Sequence, residues 1–193
     1  MTAEIFLLRH GETAWNAEHR LQGHKDSPLT FRGREQARIV GRILSRYLGC
    51  RHRIPMAVSP LGRALATAAI VQQHAESPPV TIEPRIEEVG FGVWEGLTKA
   101  EIDAIWPGLT NGLASPEWFF CAPGAESYDA CEQRIRAWLG EQSGKVIAVS
   151  HEVAGRILRG IYLGLSREQT LALTVPQDLV WHLKGGKIAA LTL

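Results

Sequence analysis

Three short apolar runs constrain this chain more than any other feature. Residues 4–9 (Glu-Ile-Phe-Leu-Leu-Arg), 56–59 (Met-Ala-Val-Ser) and 146–150 (Val-Ile-Ala-Val-Ser) stop abruptly at His10-Gly11, Pro60 and His151. Runs of this length bounded by turn signals read as strands buried on both faces. Stretches of helical spacing lie between and after them. Ala37, Val40, Gly41, Leu44 and Leu48 predict a helix over 31–48 with Thr30 as its cap. Further helices are expected over 61–73, 99–106, 127–140 and 153–163, a short strand over 80–82, and a hairpin from 179–183 and 188–193 around Gly185-Gly186. Residues 12–29, 87–96 and 107–127 read as loops, the last with an apolar tip at Trp118, Phe119 and Phe120. Strands alternating with helices predict an α/β three-layer sandwich: a mainly parallel central sheet with helices on both faces. No repeat or linker divides the chain, so residues 1–193 are expected to form a single domain.

Composition narrows the function classes. A net charge of +1 gives no bulk field toward nucleic acid or a membrane surface, and there is no basic stripe with aromatic interleaving. With 45% hydrophobic and 21% charged residues, a packed domain is expected rather than disorder. No run approaches the ~18 apolar residues of a membrane span, and the apolar N-terminus is too short for a signal peptide. Cys50, Cys121 and Cys131 are odd in number and show no CxxC spacing. A reducing, cytoplasmic location is therefore the expectation.

Ligands of open α/β sheets bind beyond the carboxyl ends of the strands. There the chain places Arg9-His10 and His151, with Arg63 at the start of the helix after 56–59. Two histidines and two arginines converging on one edge, without bulk basicity, suit a small dianion such as a phosphoryl group. Arginine offers a planar fork of donors that matches phosphate oxygens, and helix N-termini add backbone donors.

The segment Leu7-Leu8-Arg9-His10-Gly11-Glu12-Thr13 resembles the signature of the histidine phosphatase superfamily, the phosphoglycerate mutase-like proteins. The likeness continues through Trp15-Asn16, Gln22-Gly23, Asp26-Ser-Pro-Leu-Thr30, Gly33 and Gln36-Ala37. It then runs through Ser59-Pro60 with Arg63 and Ala68, Glu88-Val-Gly-Phe-Gly92 with Trp94-Glu-Gly96, Gly124-Ala-Glu-Ser127 and Val149-Ser-His151. The resemblance implies that His10 attacks phosphorus and becomes a phosphohistidine. It implies that Arg9, Arg63 and His151 hold the equatorial oxygens, that Asn16, Gln22 and Gly23 complete the phosphate site, and that Glu88 is the general acid and base. No metal and no cofactor is implied. Glu83, Glu87 and Glu95 are the rivals of Glu88, which the family spacing before Phe91-Gly92 favours. Gln22 has the alternative of a loop-stabilising role, and the three aromatics could be core beneath a loop or an apolar lid.

The remaining histidines, His19, His24, His52, His74 and His182, lack such context and read as surface or packing residues, with His24 nearest the pocket mouth. Glu152 departs from the family pattern, which often has glycine after the second histidine. A carboxylate turned into the pocket would repel phosphate, so Glu152 is expected to point aside or to meet a donor on the substrate. The related mutases have more chain between the acid and the second histidine, and a small hydroxyl residue where Gln22 stands. Both differences favour a phosphatase acting on a small phosphorylated metabolite. Phosphoryl transfer between hydroxyls is the alternative, and a non-catalytic phosphate-binding module is the remote one. Residues 107–127 would select the substrate. The sequence leaves the oligomeric state open, a homodimer included.

Overall fold

The computed structural model describes residues 3–49, 53–74, 79–113 and 116–193; Cys50 and His52 lie outside the described residues. In chain order the main elements are β1 (Glu4–Arg9), α1 (Ala14–Ala17), α2 (Phe31–Leu48), β2 (Met56–Val58), α3 (Gly62–Gln72), β3 (Val80–Ile82), α4 (Lys99–Ile105), α5 (Tyr128–Glu141), β4 (Lys145–Ser150), α6 (Glu152–Leu163), α7 (Arg167–Leu171), β5 (Val180–Lys184) and β6 (Lys187–Leu191). The six strands form one mixed sheet in the order β3-β2-β4-β1-β5-β6. The first four in that order are parallel, and β5 and β6 close one side antiparallel. The mainly parallel three-layer sandwich is therefore present, with the late hairpin as its antiparallel edge.

Alternation along the central strands divides the core in two. Ile5 and Leu7 of β1, Ala57 of β2, and Val146 and Ala148 of β4 face a core shared with Ile135 and Trp138 of α5 and Ile157 and Leu158 of α6. Phe6, Leu8, Met56, Val58, Ile147 and Val149 face the opposite core, with Val40, Ile43 and Leu44 of α2 and Ala64, Ala68 and Val71 of α3. Such two-sided burial explains why these strands read as continuous apolar runs.

Register then positions the chemistry. Arg9 pairs with Ser150, so β1 and β4 end at the same level and deliver His10 and His151 side by side. The chain leaves β1 through a turn that admits no side chain: a Cβ on Gly11 would lie 2.2 Å from the Gly33 carbonyl oxygen, and one on Gly33 would lie 2.0 Å from that of Glu12. This contact seats the start of α2 against the Arg-His-Gly turn, and Thr30 caps the helix by accepting from Gly33 N–H.

Two short elements depart from the expectation. Residues 12–29 are not wholly loop, because Thr13 and Asn16 form a reciprocal cap that nucleates α1. α7 is likewise set by a Ser166–Gln169 capping box. In the 107–127 segment, Trp118 and Phe119 are buried in the α5/α6 core and Phe120 is half-buried against Tyr128.

Candidate active site

A small pocket opens at the carboxyl ends of β1 and β4. Arg9, His10, Asn16, Gln22, Gly23, Arg63 and Glu88 all line it. His151 stands just behind, its ring centroid 5.1 Å from that of His10, and contributes to a smaller adjoining cavity rather than to the main wall.

His10 is buried and its tautomer follows from its partners. Nδ1 lies 2.8 Å from the Gly11 carbonyl oxygen, which can only accept. The proton is therefore on Nδ1, and Nε2 carries the lone pair. Arg63 Nε donates to that lone pair across a long 3.3 Å contact. Burial, reinforced by the Arg63 and Arg9 guanidinium groups, pushes His10 well below the usual imidazole range. His151 is pushed down in the same direction by burial, Arg63, His10 and Arg9. Its Nε2 meets the Ser59 hydroxyl at 2.7 Å, and that hydroxyl accepts from Leu61 N–H. The Ser59 proton is thus free to be given to Nε2, which places the proton of neutral His151 on Nδ1. That Nδ1 and Arg9 Nε are buried donor positions with no partner among the described residues, an arrangement suited to an incoming anion.

Two neutral buried histidines make folding pH-dependent. In the unfolded chain an imidazole titrates near 6.5. Below that value the unfolded state binds protons that folded His10 and His151 refuse, so stability is full above about pH 7 and falls with pH. Denaturant titrations at pH 7.5 and pH 5.5 are expected to differ by about 2–3 kcal/mol, roughly 1.4 kcal/mol per histidine. Equal midpoints at the two pH values would contradict the neutral pair.

Arg63 is held from several sides. Nη1 donates to Lys25 O at 2.7 Å and Asp26 Oδ1 at 2.8 Å, and Nη2 donates to Gly23 O at 2.8 Å. Arg9 donates to Val175 O at 2.9 Å and to Glu152 Oε2 at 2.7 Å. Asn16 Oδ1 is taken by Thr13 N–H and Gln177 Nε2, and Gln22 Oε1 by the Ser27 hydroxyl. Both amide oxygens are thus used within the protein, which leaves the amide NH2 groups for the pocket these residues line. Gln22 serves its loop and the pocket wall together.

Of the four candidate carboxylates, Glu88 alone lines the pocket. Glu83 pairs with Arg85, and Glu95 accepts from His24 and Phe91 N–H. Glu87 lies 3.8 Å from His24 at the surface. Glu88 itself caps α6: its oxygens accept from the N–H groups of Glu152 at 3.0 Å, Val153 at 3.2 Å and Ala154 at 3.0 Å. A carboxylate at a helix N-terminus is well placed. Its backbone carbonyl is gripped by Arg134, which also donates to Arg85 O and Glu87 O and is locked by Glu126.

His24 is exposed beside this loop and meets Glu88 O at 3.0 Å; His19 is exposed, and His74 and His182 are half-buried away from the pocket. Several supporting residues escaped sequence reasoning. Gln177 ties the post-α7 segment to His10 O at 3.0 Å, Arg134 holds the acid's loop, and Arg20 lines the pocket. No motif marks Gln177 or Arg134, and Arg20 read as one more polar loop residue.

This architecture has known counterparts. The model of the histidine phosphatase superfamily (branch 1) matches residues 5–184. The chain belongs to that superfamily. A curated relative, a probable phosphoglycerate mutase GpmB of Salmonella paratyphi B, is 38% identical over 174 residues, covering 84% of this chain and 75% of the relative. Among solved structures, YhfR of Bacillus stearothermophilus aligns with a TM-score of 0.80 at 27% identity over 99% of this chain and 96% of its own. The mycobacterial glucosyl-3-phosphoglycerate phosphatase Rv2419c aligns at 0.76 and 27% identity, over 98% and 96%. Among the described residues no helix is long and apolar enough to cross a membrane.

Proposed function

We propose that this chain is a metal-independent phosphomonoester hydrolase acting on a small phosphorylated metabolite through a phosphohistidine on His10. One observation carries the reading: a buried imidazole whose Nδ1–H is spent on Gly11 O, leaving the Nε2 lone pair beside the guanidinium of Arg63. In the first step Nε2 attacks phosphorus in line, the ester P–O bond breaks, and Glu88 gives a proton to the departing alkoxide. In the second, water attacks the phosphohistidine, the N–P bond breaks, Glu88 takes the water proton, and phosphate leaves. The carboxylate stands as an acceptor of backbone N–H groups, the form needed for the second step. Its two oxygens accept from the N–H groups of Val89, Glu152, Val153 and Ala154, so the proton that the first step gives away takes the place of one of these bonds. Arg9, Arg63 and His151, with the amides of Asn16 and Gln22, would stabilise charge on the equatorial oxygens. The site's own cationic donors do what a divalent ion does in other phosphatases.

The 107–127 segment would choose among substrates through Phe119, which belongs both to the core and to the pocket wall. The mutase name of the Salmonella relative favours a second reading, in which the phosphoryl group returns to another hydroxyl. A screen of phosphomonoesters with and without chelator separates the two. Phosphate release unchanged by chelator is expected. Transfer between hydroxyls without release would favour the mutase, and turnover lost to chelator would remove the metal-free route.

A further inference from the structure

We propose that Glu152 makes this pocket selective for phosphoesters of neutral or donor-bearing alcohols, and against esters that carry a second anionic group beside the phosphate. The proposal rests on the phosphatase reading and names its substrate class. Three arginines line the pocket, and each already has a carboxylate partner. Arg9 pairs with Glu152 at 2.7 Å, Arg20 with Glu101 at 2.7 Å and Glu18 at 2.9 Å, and Arg63 with Asp26 at 2.8 Å. Among the described residues no lysine lines the pocket, and no arginine lining it lacks a carboxylate partner. Two carboxylates, Glu88 and Glu152, are part of the wall, and the rest of it is neutral: His10, Asn16, Gln22 and Gly23 with the apolar Leu21, Phe91, Phe119 and Val153.

One phosphoryl dianion is matched by the unused N–H groups of Arg9 and Arg63. A second anion would find no spare cation and would face Glu152. That side chain is half-buried and fixed at both oxygens, Oε2 on Arg9 and Oε1 on Arg156 at 2.8 Å, so it cannot simply turn to bulk water. A hydroxyl or ammonium group finds an acceptor in the same place. Glu152 is therefore a specificity-determining residue: it subtracts from the field of Arg9 and offers a hydrogen-bond acceptor where a carboxylated substrate would need a donor.

Glycerol 3-phosphate and 3-phosphoglycerate form the matched pair for the test, since they differ by a hydroxymethyl group against a carboxylate. The wild-type protein is expected to hydrolyse the first with a kcat/KM roughly 10-fold or more above the second, about 1.4 kcal/mol. Glu152→Gln should narrow that ratio several-fold even if both rates fall through loosening of Arg9. Inhibition of p-nitrophenyl phosphate hydrolysis by the two compounds gives the same comparison on the wild-type protein, should the variant fold poorly. Equal use of both esters by the wild type, or a ratio that Glu152→Gln leaves unmoved, would overturn the proposal. Failure of the wild type to release phosphate from p-nitrophenyl phosphate, which has no second anion, would instead remove the phosphatase reading, and the proposal with it.

Discussion

Replacing His10 by alanine is expected to lower kcat/KM for phosphate release by roughly 10,000-fold or more, with little change in overall fold. Loss of a nucleophile removes a whole route rather than one stabilising contact, so effects of this size are the rule when the attacking group goes. Removing the ring leaves a small space between Gly11 O and Arg63 Nε, and because Arg63 lines the pocket, water can enter and replace the ring. Brief exposure to a 32P-labelled ester followed by quenching should trap acid-labile, base-stable label on the wild-type chain and none on His10→Ala. A variant that keeps more than about a hundredth of wild-type turnover would show that phosphorus does not travel through this imidazole.

Arg63→Lys is expected to cut kcat/KM by roughly 100- to 1,000-fold and to lower stability by about 2 kcal/mol. A lysine keeps the charge but concentrates it at one point. It cannot at once serve Lys25 O, Gly23 O, Asp26 and the reacting group, as the guanidinium fork does. The 22–26 loop keeps the backbone N–H bonds of residues 62 and 63 to Asp26 but loses the guanidinium fork on Gly23 O, Lys25 O and Asp26, while the pocket loses a donor. Steady-state kinetics and denaturant unfolding of the same preparation separate the two effects. Full activity in the lysine variant would mean that Arg63 serves only the loop.

Much of the frame was legible because its physical causes are local. The 31–48 helix declares itself through apolar spacing and the Thr30 cap, and its bounds match those in the structure. The strand ends were legible because apolar runs stop abruptly at polar, chemically capable residues. α1 and α7 were missed since four or five residues cannot display a helical period; only their capping side chains reveal them. The pocket-lining residues on motif segments were readable from order and spacing. Their supports were not: Gln177 and Arg134 act through carbonyl groups far along the chain, and Asp26, though it stands in a motif segment, gives no sign there of its pairing with Arg63. Glu152 was visible as an unusual residue, yet its tie to both Arg9 and Arg156 depends on the turn of α6 and the end of β1 together.

The strand order has a consequence for how the protein comes into being. β1 precedes the other five strands of its sheet in the chain, and both its neighbours, β4 and β5, come late. Until they arrive, an apolar ribbon with two open edges must wait, a state that invites pairing with other chains. A nascent or clipped chain that stops before β4 would hold the nucleophile without its companion imidazole, so catalytic competence should wait until β4 and His151 have joined the sheet.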